Sequence, residues 1–245
     1  MPKPDTNAAR TSRHGVARVI SKLGMASRSL AAQWVREGRV RVNGRPIRDP
    51  DFPVLQGRDR ISVDERDVAA ATRAVLMLNK PRGLVTTRED EKGRATVYQC
   101  LADAPLPWLA PVGRLDKASE GLLLFTNDST WAAQITNPAT GPDKTYHVQI
   151  DRVPDENLLD KLANGALVDG DWLRFKSIRC MRSGVKNAWL EVILDEGRNR
   201  QIRRVLEAHD VSVLRLVRVA IGGLALGELQ KGHWRLLSEL EITSL

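Results

Sequence analysis

The chain is short of the residues on which much enzyme chemistry depends: aromatics make up 4% of its 245 positions, with two cysteines and four histidines. Cys100 and Cys180 have no CxxC spacing and cannot hold a structural metal by themselves, so they read as reduced, partly buried thiols. His14, His147, His209 and His233 are scattered, outside any zinc signature or Ser-His-Asp order, and each reads as a surface or capping residue. No glycine-rich phosphate loop is present. No apolar run approaches the roughly 18 residues of a membrane span, and the N-terminus lacks the apolar core of a signal peptide. No membrane association and a cytoplasmic location are therefore expected. The N-terminus is basic and acid-poor, as transit peptides are, but patterned sequence begins near Gly15. Residues 1–14 are read as a disordered basic tail.

What is present is charge, unevenly placed. The net charge is +8, and residues 1–48 hold 11 Lys and Arg against 2 Asp and Glu. The other four-fifths of the chain is close to neutral. A field concentrated in this way attracts a polyanion, nucleic acid before anionic membrane.

The same region is well punctuated. Val16, Val19, Ile20 and Leu23 recur at helical spacing and Gly24 ends the helix. Ser27 is placed to cap a second helix with Leu30, Trp34 and Val35 on its apolar face and Gly38 as its stop. Val40 and Val42 then alternate with Arg39 and Arg41 before Asn43-Gly44, a strong hairpin signal. Ile61-Ser62-Val63 reads as a closing strand. The stretch GRVRVNG (38–44), after two short helices, resembles the S4 RNA-binding domain. The resemblance implies contacts to RNA backbone and shape, for which Lys22, Arg28, Arg36, Arg39 and Arg41 are the candidates. The module is placed at 15–66 and a small-residue linker at 67–73.

Residues 74–245 mix strand-like runs (TYHVQI, 145–150; LRFKSI, 173–178; AWLEVIL, 188–194) with helix-like ones (154–162 and 199–208). They do not alternate regularly, so the fold class expected is α+β, with a mixed or antiparallel sheet flanked by helices. The most informative stretch is PVGRLDKASEGLLLFTND, 111–128. A polar loop, Gly113-Arg114-Leu115-Asp116, feeds an apolar strand, Leu122 to Phe125. A carboxylate there either caps a turn or is held for chemistry, and the residues alone leave both open.

This stretch resembles motif II of the pseudouridine synthases, in the ribosomal-small-subunit-type branch that carries an S4 domain. Ser119 stands where Thr is typical, and Phe125 replaces a Leu. Asn79-Lys80-Pro81-Arg82-Gly83 is similar to motif I, Lys144 to Val148 to the KxYxV strand, and Glu196 to Arg204 to motif III. The likeness covers nearly the whole chain from about residue 15.

The resemblance implies isomerisation of a uridine to pseudouridine in ribosomal RNA, either free or in an assembling subunit. The enzyme would be a monomer and would need no metal or cofactor, since the product is an isomer. Asp116 would be the catalytic carboxylate, acting on ribose or base. Arg203 would pair with it, and a unit charge about 4 Å away is worth roughly 4 kcal/mol at an effective dielectric near 20. Tyr146 would stack on the flipped base or help remove its C5 proton; its alternation with Val148 and Ile150 also fits a core tyrosine. Arg114 would enter the space left by the base. Lys80, Arg82, Arg198 and Arg200 would contact RNA. The DKASEGLLLFTND variant leans toward large-subunit RNA, with small-subunit RNA and tRNA open. Two other readings compete: a non-catalytic RNA-binding assembly factor, and a glycoside hydrolase, which would need a second carboxylate such as Glu120.

Overall fold

The computed structural model describes residues 13–69, 71–102, 104 and 106–245. Residues 1–12, most of the stretch read as a tail, lie outside the described residues. The chain divides into two compact units, 1–73 with 106–110, and 74–105 with 111–245.

In the first unit β1 (His14–Gly15) leads directly into α1 (Val16–Lys22), and α2 (Arg28–Arg36) follows. His14 therefore belongs to a strand rather than to the tail. Ser27 caps α2, its Oγ accepting from the Leu30 N–H at 3.0 Å. β2 (Val40–Val42) and β3 (Arg45–Ile47) form the expected hairpin. Asn43 and Gly44 both lie at positive φ, +50° and +80°, the geometry of a primed turn that suits this dipeptide. β4 (Pro53–Val54) pairs with β1, and β5 (Ile61–Val63) pairs with β2 on one side and β6 (Arg66–Asp67) on the other. β6 thus runs one residue into the stretch read as linker. Val16, Val19, Ile20, Ala31, Val35, Val40 and Val42 close a small core. The charged side chains of the same elements remain outside it.

The second unit is α+β. Its strands are β7 (Val75–Lys80), β8 (Ala110–Val112, which begins in the segment grouped with the first unit), β9 (Glu120–Thr126), β10 (Lys144–Ile150), β11 (Ala166–Val168), β12 (Asp171–Leu173), β13 (Ser177–Ser183), β14 (Ala188–Leu194), β15 (Val213–Ile221), β16 (Leu224–Ala225) and β17 (Trp234–Leu236). Its helices are α3 (Ser129–Thr136), α4 (Glu156–Asn164), α5 (Gln201–Glu207) and α6 (Glu239–Thr243). One mixed sheet runs in the order β13-β14-β10-β15-β9-β7-β17, with β8 beside β9 and β16 beside β15. Its β15–β9 pair is parallel; the other registered pairs are antiparallel.

Burial explains the local patterns. β9 and β7 are buried along their whole length, hence their unbroken apolar runs. Met77, Leu122 and Leu124 pack with Trp131 and Ile135 of α3. Phe125 meets Tyr98 edge-on at 5.7 Å. β10 and β14 alternate instead, with Tyr146, Val148 and Ile150 buried and His147 half-exposed beside Glu191 at 3.7 Å.

Two expectations are corrected. LRFKSI is not one strand: β12 ends at Leu173 and β13 starts at Ser177, and the chain between them supplies the Arg174 carbonyl to a side chain of α5. The helix expected from Asn199 begins at Gln201. No helix among the described residues is long and apolar enough to cross a membrane.

Candidate active site

The loop before β9 is fixed by its backbone. The Thr86 hydroxyl donates to the Leu115 carbonyl at 2.7 Å, and the Thr86 Oγ1 accepts from the Leu115 N–H at 3.3 Å. The Gly83 N–H donates to the Lys117 carbonyl at 2.7 Å, and the Ser119 N–H to the Asp116 carbonyl at 3.0 Å. Lys80 completes the brace. Its Nζ donates to the carbonyls of Ser119, Asp116 and Pro81 at 2.7, 3.1 and 3.2 Å.

Lys80 is fully buried. An RNA contact by this residue, as expected from motif I, is therefore overturned: all three ammonium protons serve the protein's own carbonyls. Burial pushes its pKa down to about 8, opposed by the charges of Asp116 and Glu120.

Asp116 is held at the edge of a cleft of ≈ 590 Å³, within the range of small-molecule pockets. Tyr146, Arg114, Arg198, Arg200, Arg203 and Arg218 share its wall. Tyr146 reaches it from β10 and is buried, with 9% of its surface exposed. Arg203 reaches it from α5. The helix start is set by Gln201, buried at 2% exposure. Its Nε2 donates to the Arg174 carbonyl at 2.7 Å and to Glu196 at 2.9 Å, while its Oε1 accepts from the Arg198 N–H at 3.1 Å. This leaves Arg200 in the left-handed region, φ +49°.

The charge pairing differs from expectation. The ion pair to Asp116 comes from Arg200, Nη1 to Oδ2 at 3.6 Å. Arg203 instead donates to the Ala118 carbonyl at 3.4 Å and the Val213 carbonyl at 3.5 Å, and its Nε has no hydrogen-bond partner among the described residues. Burial lowers its pKa, as does the Arg200 charge, while Asp116 acts in the opposite sense. The Arg200–Asp116 pair is substantially exposed and long, worth at most about 1 kcal/mol rather than the 4 of a drier contact. By sequence Arg200 stands with the arginines expected on the RNA backbone, and the left-handed backbone that brings it to Asp116 has no local signature.

Glu120, the other carboxylate considered, is 2% exposed and held by Arg215 at 3.1 Å and by Lys231. It lies outside the cleft wall. Of the basic residues of the first unit, Lys22, Arg28, Arg36 and Arg41 are exposed. Arg39 is also exposed but is tied to Asp64 at 2.5 Å and Glu37 at 3.3 Å, and it lies over the Trp34 ring. Arg82 and Arg114 are exposed in the second unit.

A family model described as RNA pseudouridylate synthase matches residues 74–208, and one described as S4 domain matches residues 16–61. The chain is 34% identical over 231 residues to a protein of Aquifex aeolicus (strain VF5) named uncharacterized RNA pseudouridine synthase, covering 94% of this chain and 92% of that one. It is 34% identical over 230 residues to the ribosomal large subunit pseudouridine synthase B of Bacillus subtilis (strain 168), covering 93% of each. A solved structure described as a pseudouridylate synthase superposes with a TM-score of 0.66 at 30% identity, over 94% of this chain and 99% of that one. The chain therefore belongs to the RNA pseudouridine synthase family, with an S4 domain ahead of its synthase domain. Its substrate is RNA, and its reaction is the isomerisation of uridine to pseudouridine.

Proposed function

We propose that this protein isomerises a specific uridine of ribosomal RNA, with large-subunit RNA as the favoured substrate, through Asp116. The observation that carries the reading is the Asp116 carboxylate on a loop braced by Lys80 and Thr86, facing Tyr146 and Arg203 across one cleft. The name of the Bacillus subtilis relative supports the large-subunit assignment.

The chemistry follows from what each group can do. An ionised carboxylate can attack, or take a proton and return it, and then leave. The C1′–N1 bond breaks, the detached uracil turns over, C5 bonds to C1′, and the C5 proton is lost while N1 gains one. The target nucleotide must first leave its stack, at a few kcal/mol. Stacking on the Tyr146 ring, worth about 1–3 kcal/mol, offsets part of this. Arg114, exposed beside Asp116, fills the vacated position in the RNA. Arg200 and Arg203 hold the loop and its charge, and Arg82 and Arg198 meet phosphates. The exposed Lys22, Arg28, Arg36 and Arg41 bind RNA backbone, with Arg39 in reserve behind its acidic partners. A monomer acting in the cytoplasm suffices for all of these steps.

The test is a pseudouridine map of total rRNA and tRNA from cells with the gene deleted, restored, or restored as Asp116→Ala. One rRNA uridine should lose its modification on deletion and regain it only with the wild-type copy. A map that changes only in tRNA refutes the ribosomal assignment, and full restoration by Asp116→Ala refutes the role of the carboxylate.

A further inference from the structure

Arg218 lies on β15, directly across the ladder from Tyr146 of β10. Residues paired in this way point to the same face with their Cβ atoms about 5 Å apart, and both line the cleft. Only 5% of Arg218 is exposed. Its Nε donates to the Leu122 carbonyl at 2.7 Å, while its Nη2 is buried with no hydrogen-bond partner among the described residues. No carboxylate among the described residues forms an ion pair with it. Buried cations are ordinarily paired, because an unpaired one bears the full penalty of leaving water. A guanidinium left short of acceptors in the wall of a reaction cleft is therefore set for an acceptor that arrives with the substrate.

Its position distinguishes the possible acceptors. Phosphates stay at the solvent edge of an RNA strand, where the exposed Arg82 and Arg198 already stand. Arg218 is instead buried, beside Tyr146.

We propose that Arg218 forms an oxyanion subsite for the uracil ring, donating to a ring carbonyl oxygen and stabilising the base while it is detached from the ribose. The inference rests on the reading of the cleft given above. When the C1′–N1 bond breaks with its electron pair leaving on the base, the negative charge spreads over N1, O2 and O4. The turn that exchanges N1 for C5 runs about the N3–C6 axis and also exchanges O2 for O4. A single fixed donor can therefore hold one carbonyl before the turn and the other after it. The group is preorganised: Arg218 pairs with Gly121 of β9 on its other side, and a Cβ added there would meet the Arg218 carbonyl at 2.2 Å. Because the charge on the base develops during reaction, the contact favours the transition state over the bound substrate.

The test uses the full-length protein and total RNA labelled with 5-tritiated uridine, taken from cells lacking the gene. Tritium release reports loss of the C5 proton. Arg218→Gln should lower kcat by about 100- to 1,000-fold, the range for removal of one oxyanion donor, with KM within about threefold of wild type. Arg218→Lys, which restores the charge without the fork, should recover part of that loss. If Arg218→Gln raises KM and leaves kcat intact, the residue contacts a phosphate and the proposal is overturned. A folded Arg218→Gln or Arg218→Lys variant with wild-type kcat overturns it as well. If Arg218→Gln does not fold, Arg218→Lys decides alone, and wild-type turnover by it leaves Arg218 a strand-pairing role. Asp116→Ala in the same assay tests the underlying reading separately: release by that variant would fault the cleft assignment, whatever Arg218 does.

Discussion

Replacing Lys80 by methionine isolates what the brace under Asp116 contributes. Methionine has a similar length and no donor, so the pocket stays filled while three carbonyls lose a partner. Hydrogen bonds to a charged group contribute about 1.5–3 kcal/mol each, which gives roughly 4.5–9 kcal/mol for three. Against this stands the penalty of keeping the ammonium buried. Its pKa lies near 8 in place of 10.5, a depression of about 2.5 units and so at most about 3 kcal/mol. The net loss for Lys80→Met is then about 1.5–6 kcal/mol, a fall in Tm of roughly 3–24 °C for a unit of this size.

The sign of the pH dependence follows from the same shift. Between pH 8 and 10.5 the unfolded chain binds the proton more tightly than the folded one. Stability conferred at this site therefore rises with pH across that window, and the burial penalty is fully present below pH 8. Thermal and urea unfolding of both proteins from pH 7 to 10.5 should show the wild type gaining relative to Lys80→Met as pH rises. Equal Tm values at pH 7, or parallel profiles, would refute the brace.

Tyr146→Phe keeps the ring and removes the hydroxyl. If that hydroxyl moves the C5 proton, kcat should fall by about 100-fold or more, whereas unchanged tritium release leaves only stacking. Gly121→Ala should destabilise by more than about 2 kcal/mol in urea unfolding, since its Cβ would clash with the Arg218 backbone at a φ of +101°; a loss below 1 kcal/mol would mean that the two strands can part easily. Arg41→Gln should weaken RNA binding and reduce the slope of log affinity against log salt by about 0.9. Arg39→Gln should change that slope less, because its guanidinium already serves Asp64. Equal slopes for the two variants would remove the distinction between arginines with and without an acidic partner.

Much of the fold could be read from residues whose structural instruction is local. The alternation in 188–194 became β14 without a change of boundary, Ser27 capped α2, and Asn43-Gly44 turned the hairpin. Other turns and caps are written just as locally. Asp169-Gly170, at φ +54° and +82°, joins β11 to β12, and Asp128 caps α3 with its carboxylate. What could not be read depends on partners distant in sequence. Lys80 looks like any lysine beside a proline until the loop at 116–119 closes over it. Arg200 and Arg203 are neighbours on paper, and only the conformation at Arg200 decides which of them faces the carboxylate. The isolation of Arg218 is likewise invisible without its surroundings, since the chain holds 30 acidic residues that could have paired with it.

The position of β15 in the sheet has a consequence for how the protein is made. Asp116 belongs to the half built from β7 and β9, and Tyr146 to the half built from β10, β14 and β13. Only β15, residues 213–221, joins the two. During synthesis each half can form from neighbouring segments, but the edge of β10 that takes β15 stays unfilled until residues 213–221 have emerged. Contacts of this sequence separation also close slowly. Activity should therefore switch on late and all at once. A chain ending before residue 213 would carry Asp116, Tyr146 and Arg203 and no site in which they meet.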